Sequence, residues 1–326
     1  MNKTKKNETT NANTNIQAHS PKVIFLAFIA LVISPAFFSS NIIFGKMALH
    51  IAPFTLAFMR WFFTALILVF LTKNHHAQML QVAKRHWQNL IVMGILAMLI
   101  CGGVVYWALQ STSATNGTLI YTLPPLIIIL IERIWRKRPI GSLEMVGVFI
   151  AIFGVCIIFT RASLSNLLTL TFNVGDLMFL ICAISWAIYT VMLKSEIYSK
   201  LETLPFFALG AIFGSFILFP FSAYEFLNGQ TMPSSQLDWT LIAGMVILSS
   251  LLSFSLYQFV IKILGASIAG VSLYLLTPYG VGAAWFFLNE SLQSFHWMGI
   301  VTILLGLVLA TFPANKIKSI LSKKKG

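Results

Sequence analysis

Charge, and acidic charge above all, is what this sequence has least of. Only 10% of its 326 residues are charged, and 9 Asp+Glu stand against 22 Lys+Arg. Soluble domains carry about 25% charged residues. A chain that is 58% hydrophobic has too little polar surface to cover a water-facing exterior, which excludes an ordinary soluble enzyme. Cysteine is scarce as well. Cys101, Cys156 and Cys182 sit singly in apolar runs, and an odd count with no CxxC pair supports neither a disulfide framework nor a zinc site. No metal and no cofactor are expected. Catalytic patterns are also missing: there is no HExxH, no GxSxG, no P-loop and no carboxylate pair inside an apolar run. His19, His50, His75, His76, His86 and His296 fall in tails, loops or at run edges. No enzymatic activity is expected.

Apolar runs are what the chain has in quantity. A helical span needs about 20 apolar residues, and runs of that length recur near 23–45, 54–72, 88–110, 114–132, 141–160, 174–193, 204–222, 239–261, 268–288 and 295–313. They are apolar all round and longer than the alternating segments of about ten residues that build a barrel. The expected fold is therefore an all-α integral membrane protein with ten transmembrane helices in a lipid bilayer. Residues 1–22 are rich in Asn, Thr and Lys with no apolar face and read as a disordered tail; residues 314–326 form a short basic tail. With the N-terminus inside, every Lys and Arg except Lys46, Arg60 and Arg161 falls on the cytoplasmic side. That bias sets orientation, so both termini are expected in the cytoplasm and the protein in the cell (inner) membrane. The net charge of +13 is then a topology signal, and no nucleic-acid partner is expected.

The chain also repeats itself. Tyr106, Gly117, Tyr121, Pro125, Gly147 and Gly154 match Tyr257, Gly270, Tyr274, Pro278, Gly299 and Gly306 at a nearly constant offset. Phe38-Ser39-Ser40-Asn41 with Lys46 aligns with the stretch from Trp186 to Lys194. Two units result, 23–160 and 172–313, each with five runs. An odd number of spans makes the second unit enter the membrane from the opposite side. Such inverted repeats underlie alternating access in many transporters, because two similar halves of opposite orientation can exchange roles. Gly147…Gly154 and Gly299…Gly306 place small residues on single helix faces, which suits close helix contact; a homodimer through those faces is the other use.

At this point the residues resemble a known family, the drug/metabolite transporter (DMT) superfamily in its EamA-type, ten-helix form. The resemblance covers residues 23–313. It rests on Phe38-Ser-Ser-Asn41 with Lys46, Thr55 to Trp61 including Arg60, and Ala108-Leu-Gln-Ser-Thr-Ser-Ala114. Further pieces are Gly175-Asp176 with Ser185-Trp186-Ala187 and Tyr189, Gly265-Ala-Ser267 leading to Leu276-Thr-Pro278, Phe287-Leu-Asn-Glu290, and Gly299…Gly306. Two departures stand out. Phe38-Ser39 occupies a place where the family often has Trp-Gly, and Lys137 or Arg138 falls where Glu290 would have its first-half counterpart. The resemblance implies a carrier of small metabolites, amino-acid-like or drug-like, usually exported, with a cavity among spans 1, 3, 4, 6, 8 and 9.

Polar and aromatic side chains within spans are the candidates for that cavity, since hydrocarbon tolerates polar groups only when they face the protein interior or water. They are Asn41, Asn116, Gln258, Tyr106, Tyr121, Tyr189, Tyr257 and Tyr274, with Trp107, Trp186 and Trp285 as aromatic faces for flat or cationic solutes. Tyr106, Trp107 and Tyr257 lie near enough to span ends to be interface anchors instead. Arg60 either snorkels to the surface or attracts an anionic solute group. The nine acids all fall in tails, loops or near span ends, so no midplane carboxylate is available for ion coupling. Two other functions stay open: a non-transporting membrane receptor or assembly protein, and a nucleotide-sugar-type carrier.

Overall fold

Proline decides where several helices begin. In a computed structural model of the chain, α1 (Pro21–Met47) and α2 (Pro53–Leu71) each carry proline in the first turn, where its missing N–H costs nothing and its fixed φ suits the helix. The described residues are 20–121, 123–136, 142–163, 173–193, 201–264 and 272–311. Most of the N-terminal tail, the C-terminal tail, Lys137, Arg138, Lys194, Lys200 and Gly265 to Ser267 lie outside them. α3 (Lys73–Ala108) begins well before the expected run near 88. Its lead is polar and half-exposed, with Met79 and Val82 turned to the core, and a non-helical His86 (φ −129°, ψ 25°) separates it from the apolar part.

The run at 114–132 is not one helix, which corrects the sequence reading. It is α4 (Ala114–Ile120) followed by α5 (Pro124–Arg136). Pro124 and Pro125 offer no N–H to the carbonyls one turn back, and the residue before a proline is steered away from helical angles. The last turn closes instead through the Leu123 amide on the Ile120 carbonyl at 3.1 Å. Then come α6 (Ser142–Thr160), α7 (Val174–Met192) and α8 (Thr203–Leu227). α9 runs from Gln236–Gly244 through Met245–Leu252 into Ser253–Leu264. A 3-10 turn, Leu273–Leu275, leads into α10 (Leu276–Leu288), and α11 is Ser294–Thr311.

Among the described residues six helices, α1, α2, α3, α7, α8 and α9, are long and apolar enough to cross a membrane; Met145–Ile158, Leu273–Leu288 and Ser294–Leu309 are shorter apolar helices. The outer surface is apolar too. Phe70 and Phe216 are 74% and 75% exposed, and a water-soluble exterior does not display large aromatics so freely. This is the surface of a multi-pass membrane protein.

Two helices widen into π turns at matching places. Ile95–Val104 in α3 and Met245–Leu252 in α9 each follow a glycine, Gly94 and Gly244. A π turn spoils the i to i−4 ladder, and side chains here take up carbonyls of the widened turns. Ser185 Oγ donates to the Leu96 carbonyl at 3.0 Å and Cys182 Sγ to Ile100 at 3.3 Å, while Cys101 Sγ donates back to the Cys182 carbonyl at 3.3 Å. In α9, Ser253 Oγ donates to the Ser249 carbonyl at 2.6 Å.

The glycine stripes close a contact within the chain. α6 and α11 meet through them: a Cβ on Gly306 would lie 2.4 Å from Ala151 N and 2.6 Å from Gly147 O, and one on Gly154 would lie 2.9 Å from Ile303 N. Backbone cannot step aside, and overpacking costs about 1–3 kcal/mol. Gly306→Ala is therefore expected to lower the thermal unfolding midpoint of the detergent-purified protein. Gly282→Ala, at a glycine with nothing within 4 Å, should leave it unchanged; equal midpoints would refute the contact.

Candidate functional site

Arg60 lies seven residues after Pro53 on α2 and is only 3% exposed. It does not snorkel to the surface. Its Nε donates to Ser250 Oγ at 2.8 Å, its Nη1 to Asn41 Oδ1 at 2.7 Å and to the Tyr106 hydroxyl at 3.2 Å, and its Nη2 to the Ser249 carbonyl at 3.4 Å. The guanidinium carbon sits 4.5 Å from the Trp61 ring centroid. Tyr106 in turn donates to Asn41 Oδ1 at 2.6 Å, and the Ser40 and Ser249 hydroxyls meet at 2.7 Å. Every partner is neutral. The ion pairs among the described residues are His50–Asp238 and His75–Glu202, so dipoles alone offset the buried cation. Ser249 and Ser250 belong to the π segment of α9, which brings a carbonyl and a hydroxyl from the C-terminal half of the chain onto a cation of the N-terminal half.

Arg60 and Asn41 form part of the wall of a cavity of about 60 Å³, several times the roughly 10–15 Å³ that one buried water needs. The wall beyond them is mostly aromatic and apolar, with the hydroxyl-bearing Ser39, Thr118, Tyr121 and Ser249 set into it. Phe38 lies 5.1 Å from Phe254 and 6.4 Å from Trp186, and Trp186 lies 5.9 Å from Phe254, all edge-on. Such T-shaped arrangements favour aromatic packing and set three rings on the same cavity wall as the charge. Among the described residues, no acid lines this cavity.

The structure draws several predicted residues together and sets others apart. Asn41, Arg60, Tyr121 and Trp186 line the cavity, with Tyr106 bonded behind the first two. Tyr189 backs Trp186 at 5.4 Å and Tyr257 backs Phe38 at 5.8 Å, as a second layer. Tyr274 is partly buried against the core beside Leu273, which does line the cavity. Gln258 is partly buried on α9, off the lining. Trp107 is 48% and Trp285 60% exposed, facing outward as interface aromatics do. Asn116 lies in a different chamber. The residues that sequence reading missed are Ser249 and Ser250, whose signal was a hydroxyl pair in the middle of an apolar run.

The second chamber, about 610 Å³, is lined by Lys46, Thr112, Asn116, Arg161, Glu290 and His296 among others and shares no lining residue with the cavity. It lies at one end of the bundle, where carboxylates hold helix N-termini. Glu290 accepts the Ala114 and Thr115 amides at 2.7 and 2.9 Å and the Thr115 hydroxyl at 2.7 Å, at the start of α4. Glu225 does the same for α2, accepting the Phe54 and Thr55 amides at 3.0 and 2.6 Å and the Thr55 hydroxyl at 2.8 Å. Asp238 caps its own helix through Ser234 and Ser235 and meets His50 Nε2 at 2.8 Å. Asp176, in the first turn of α7, accepts from the Thr112 hydroxyl and from Asn116 Nδ2. Asn116 Oδ1 faces His296 Nε2 at 3.1 Å, and the Gln293 amide donates to His296 Nδ1, so the imidazole proton sits on Nε2. Lys46 Nζ donates to the carbonyls of Leu109 and Thr112 at 2.7 and 2.6 Å. The link from α3 to α4 is thus pinned by a cation at its carbonyl end and a carboxylate at its amide end.

Known proteins place this geometry. A crystal structure of another protein superposes on 92% of this chain and 99% of its own with a TM-score of 0.55 at 17% identity, a likeness of fold. The uncharacterized transporter YyaM of Bacillus subtilis is 27% identical over 68% of this chain and 72% of its own length. An uncharacterized transporter of Archaeoglobus fulgidus is 25% identical over 86% and 96%, and YoaV of Bacillus subtilis, likewise an uncharacterized transporter, 24% over 84% and 92%. The model of the EamA-like transporter family matches residues 24–160 and again 173–312. With nearly the whole helical part of the chain matched, this protein belongs to the EamA-like transporter family, a membrane transporter by descent and by the apolar surface it presents.

Proposed function

We propose that the protein exports small metabolites, of amino-acid-like or drug-like size, across the cell (inner) membrane by alternating access through the Arg60 cavity. The observation that carries this reading is a buried cation on the wall of a largely apolar and aromatic cavity, held only by neutral groups. Intramembrane charge of that kind marks solute pathways. Ten spans in two inverted five-helix units, 23–160 and 172–313, supply the mechanism. The two π segments, starting at Ile95 and Met245, stand close to the repeat's own offset and support the duplication. A nucleotide-sugar carrier fits less well, since Arg60 is the one basic residue among those lining the cavity.

The reading is tested by solute counterflow in liposomes carrying the purified protein. Asn41→Ala and Trp186→Ala, which remove cavity contacts without changing span hydrophobicity, should slow exchange by about tenfold, the scale of losing one or two kcal/mol of contact, at normal expression. Unchanged flux in both would return these residues to packing.

Sidedness follows from the basic residues. Single cysteines in the 231–236 loop should label from outside, and cysteines at 136–138 only after the cytoplasmic side is opened. Labelling of both loops from one side would rule out the inverted arrangement.

The carboxylates buried among the described residues, Asp176, Glu225 and Asp238, all serve helix starts or their neighbours, not the cavity. The protein is therefore proposed to run by exchange or down the solute gradient. Liposomes with equal solute on both sides should show no net accumulation under an imposed proton or sodium gradient; accumulation would assign coupling to one of these acids, Asp176 first.

A further inference from the structure

The cavity holds a charge without its counter-charge. A guanidinium stays protonated in proteins and presents five N–H donors in a planar fork. Four of Arg60's are engaged, the weakest at 3.4 Å to the Ser249 carbonyl, which leaves one Nη2 hydrogen without a partner among the described residues. Burying a lone cation is costly unless a charge-assisted partner arrives, and the residues lining the cavity include no acid. The solute itself is the remaining source of that negative charge.

The same inventory disfavours a positive head group. An amine in this cavity would meet Arg60 in a low-dielectric space, where like charges repel far more strongly than in water, and would find no carboxylate on the lining. The Trp186 and Phe254 faces offer a cation only weak attraction by comparison. They suit a flat apolar body instead. Resting on the transport reading for its use, though not for the binding itself, the geometry points to one solute class. We propose that the cavity binds small organic monocarboxylates, the carboxylate accepting from the remaining Nη2 hydrogen of Arg60 and an apolar body against the rings of Phe38, Trp186 and Phe254. A zwitterionic amino acid brings an ammonium that the described lining can meet only with hydroxyls such as Thr118 and with no carboxylate, beside the Arg60 cation, so it binds more weakly than the matching acid.

The test varies the head group while keeping the body. Calorimetric titration of the full-length protein in lipid nanodiscs would compare 3-phenylpropionate, L-phenylalanine, phenethylamine and 3-phenylpropanol. The acid should bind about tenfold or more tighter than the alcohol, as one charge-assisted bond implies, with L-phenylalanine below the acid and the amine weakest. Arg60→Gln should abolish the acid's advantage over the alcohol. Trp186→Leu should weaken acid and alcohol alike and keep their ratio, so that the loss of a head-group preference is separable from general damage. The wild-type series stands without either variant, should Arg60→Gln fail to fold. An amine, alcohol or amino acid that binds as tightly as the acid overturns the proposal, as does a series in which none binds. Acid binding without counterflow would leave the head-group inference standing and overturn transport. Counterflow of the amine without acid binding would do the reverse.

Discussion

A helix start in a membrane has no water to turn to. The first amide N–H groups of a helix lack intrahelical partners, and in hydrocarbon each unsatisfied group costs several kcal/mol. Much else in this fold depends on that constraint. The few carboxylates that the chain affords are spent where the orphaned amides gather: Glu225 on α2, Glu290 on α4, Asp238 on α9. Each also meets the positive end of the helix dipole. Two of the three are delivered from another helix or loop, so a local requirement of backbone chemistry becomes a tertiary tie. Carbonyl ends face the complementary problem, and Lys46 meets it at the end of α3. The charges that look scattered in the sequence are helix-end chemistry.

Arg60 obeys the same rule by a different route. Its buried charge is met by a carbonyl, an amide oxygen and hydroxyls, and the carbonyl comes from a stretch where the helix has been widened. A regular helix has already committed its interior carbonyls to the turn above. The π segment of α9 loosens that commitment where Ser249 and Ser250 face α2, and Ser253 holds the Ser249 carbonyl from the other side. The matching segment of α3 uses its freedom differently, bonding to the thiol and hydroxyl of α7. One distortion, placed twice, meets Arg60 from α9 and α7 from α3, and both segments supply residues to the cavity wall.

Sequence reading reached the helical character, the placement of most helices and the glycine stripes, because all three follow from local rules of length, hydropathy and side-chain size. It reached Asn41, Arg60, Tyr121 and Trp186 as cavity residues because polar and aromatic groups within apolar runs are conspicuous. Ser249 and Ser250 escaped, since serine is unremarkable in membrane helices and only the widened turn gives the pair its meaning. Trp107 and Trp285 were over-read: a tryptophan on a span looks the same in sequence whether it faces a cavity or lipid. The break between α4 and α5 falls at Pro124-Pro125, inside a run that is apolar from 114 to 132 and therefore reads as one span. The caps of Glu225 and Glu290 could not be read at all, because each joins residues some 170 positions apart and rests on tertiary docking.

Those two caps also constrain how the cavity can open. Glu225 ties α8 to the start of α2, and the two helices pack along their length; Glu290 ties the end of α10 to the start of α4, which pack likewise. In both cases the acid belongs to the second repeat unit and the capped helix to the first. A motion that separated the two units as blocks would strip four amides and two threonine hydroxyls of their acceptors in a low-dielectric setting, a cost far beyond the few kcal/mol over which a carrier's states can differ and still interconvert. A motion that keeps α2 with α8, and α4 with α10, breaks none of these bonds. If the protein cycles as proposed, the bodies that move past one another each draw helices from both of the stretches that the family model matches.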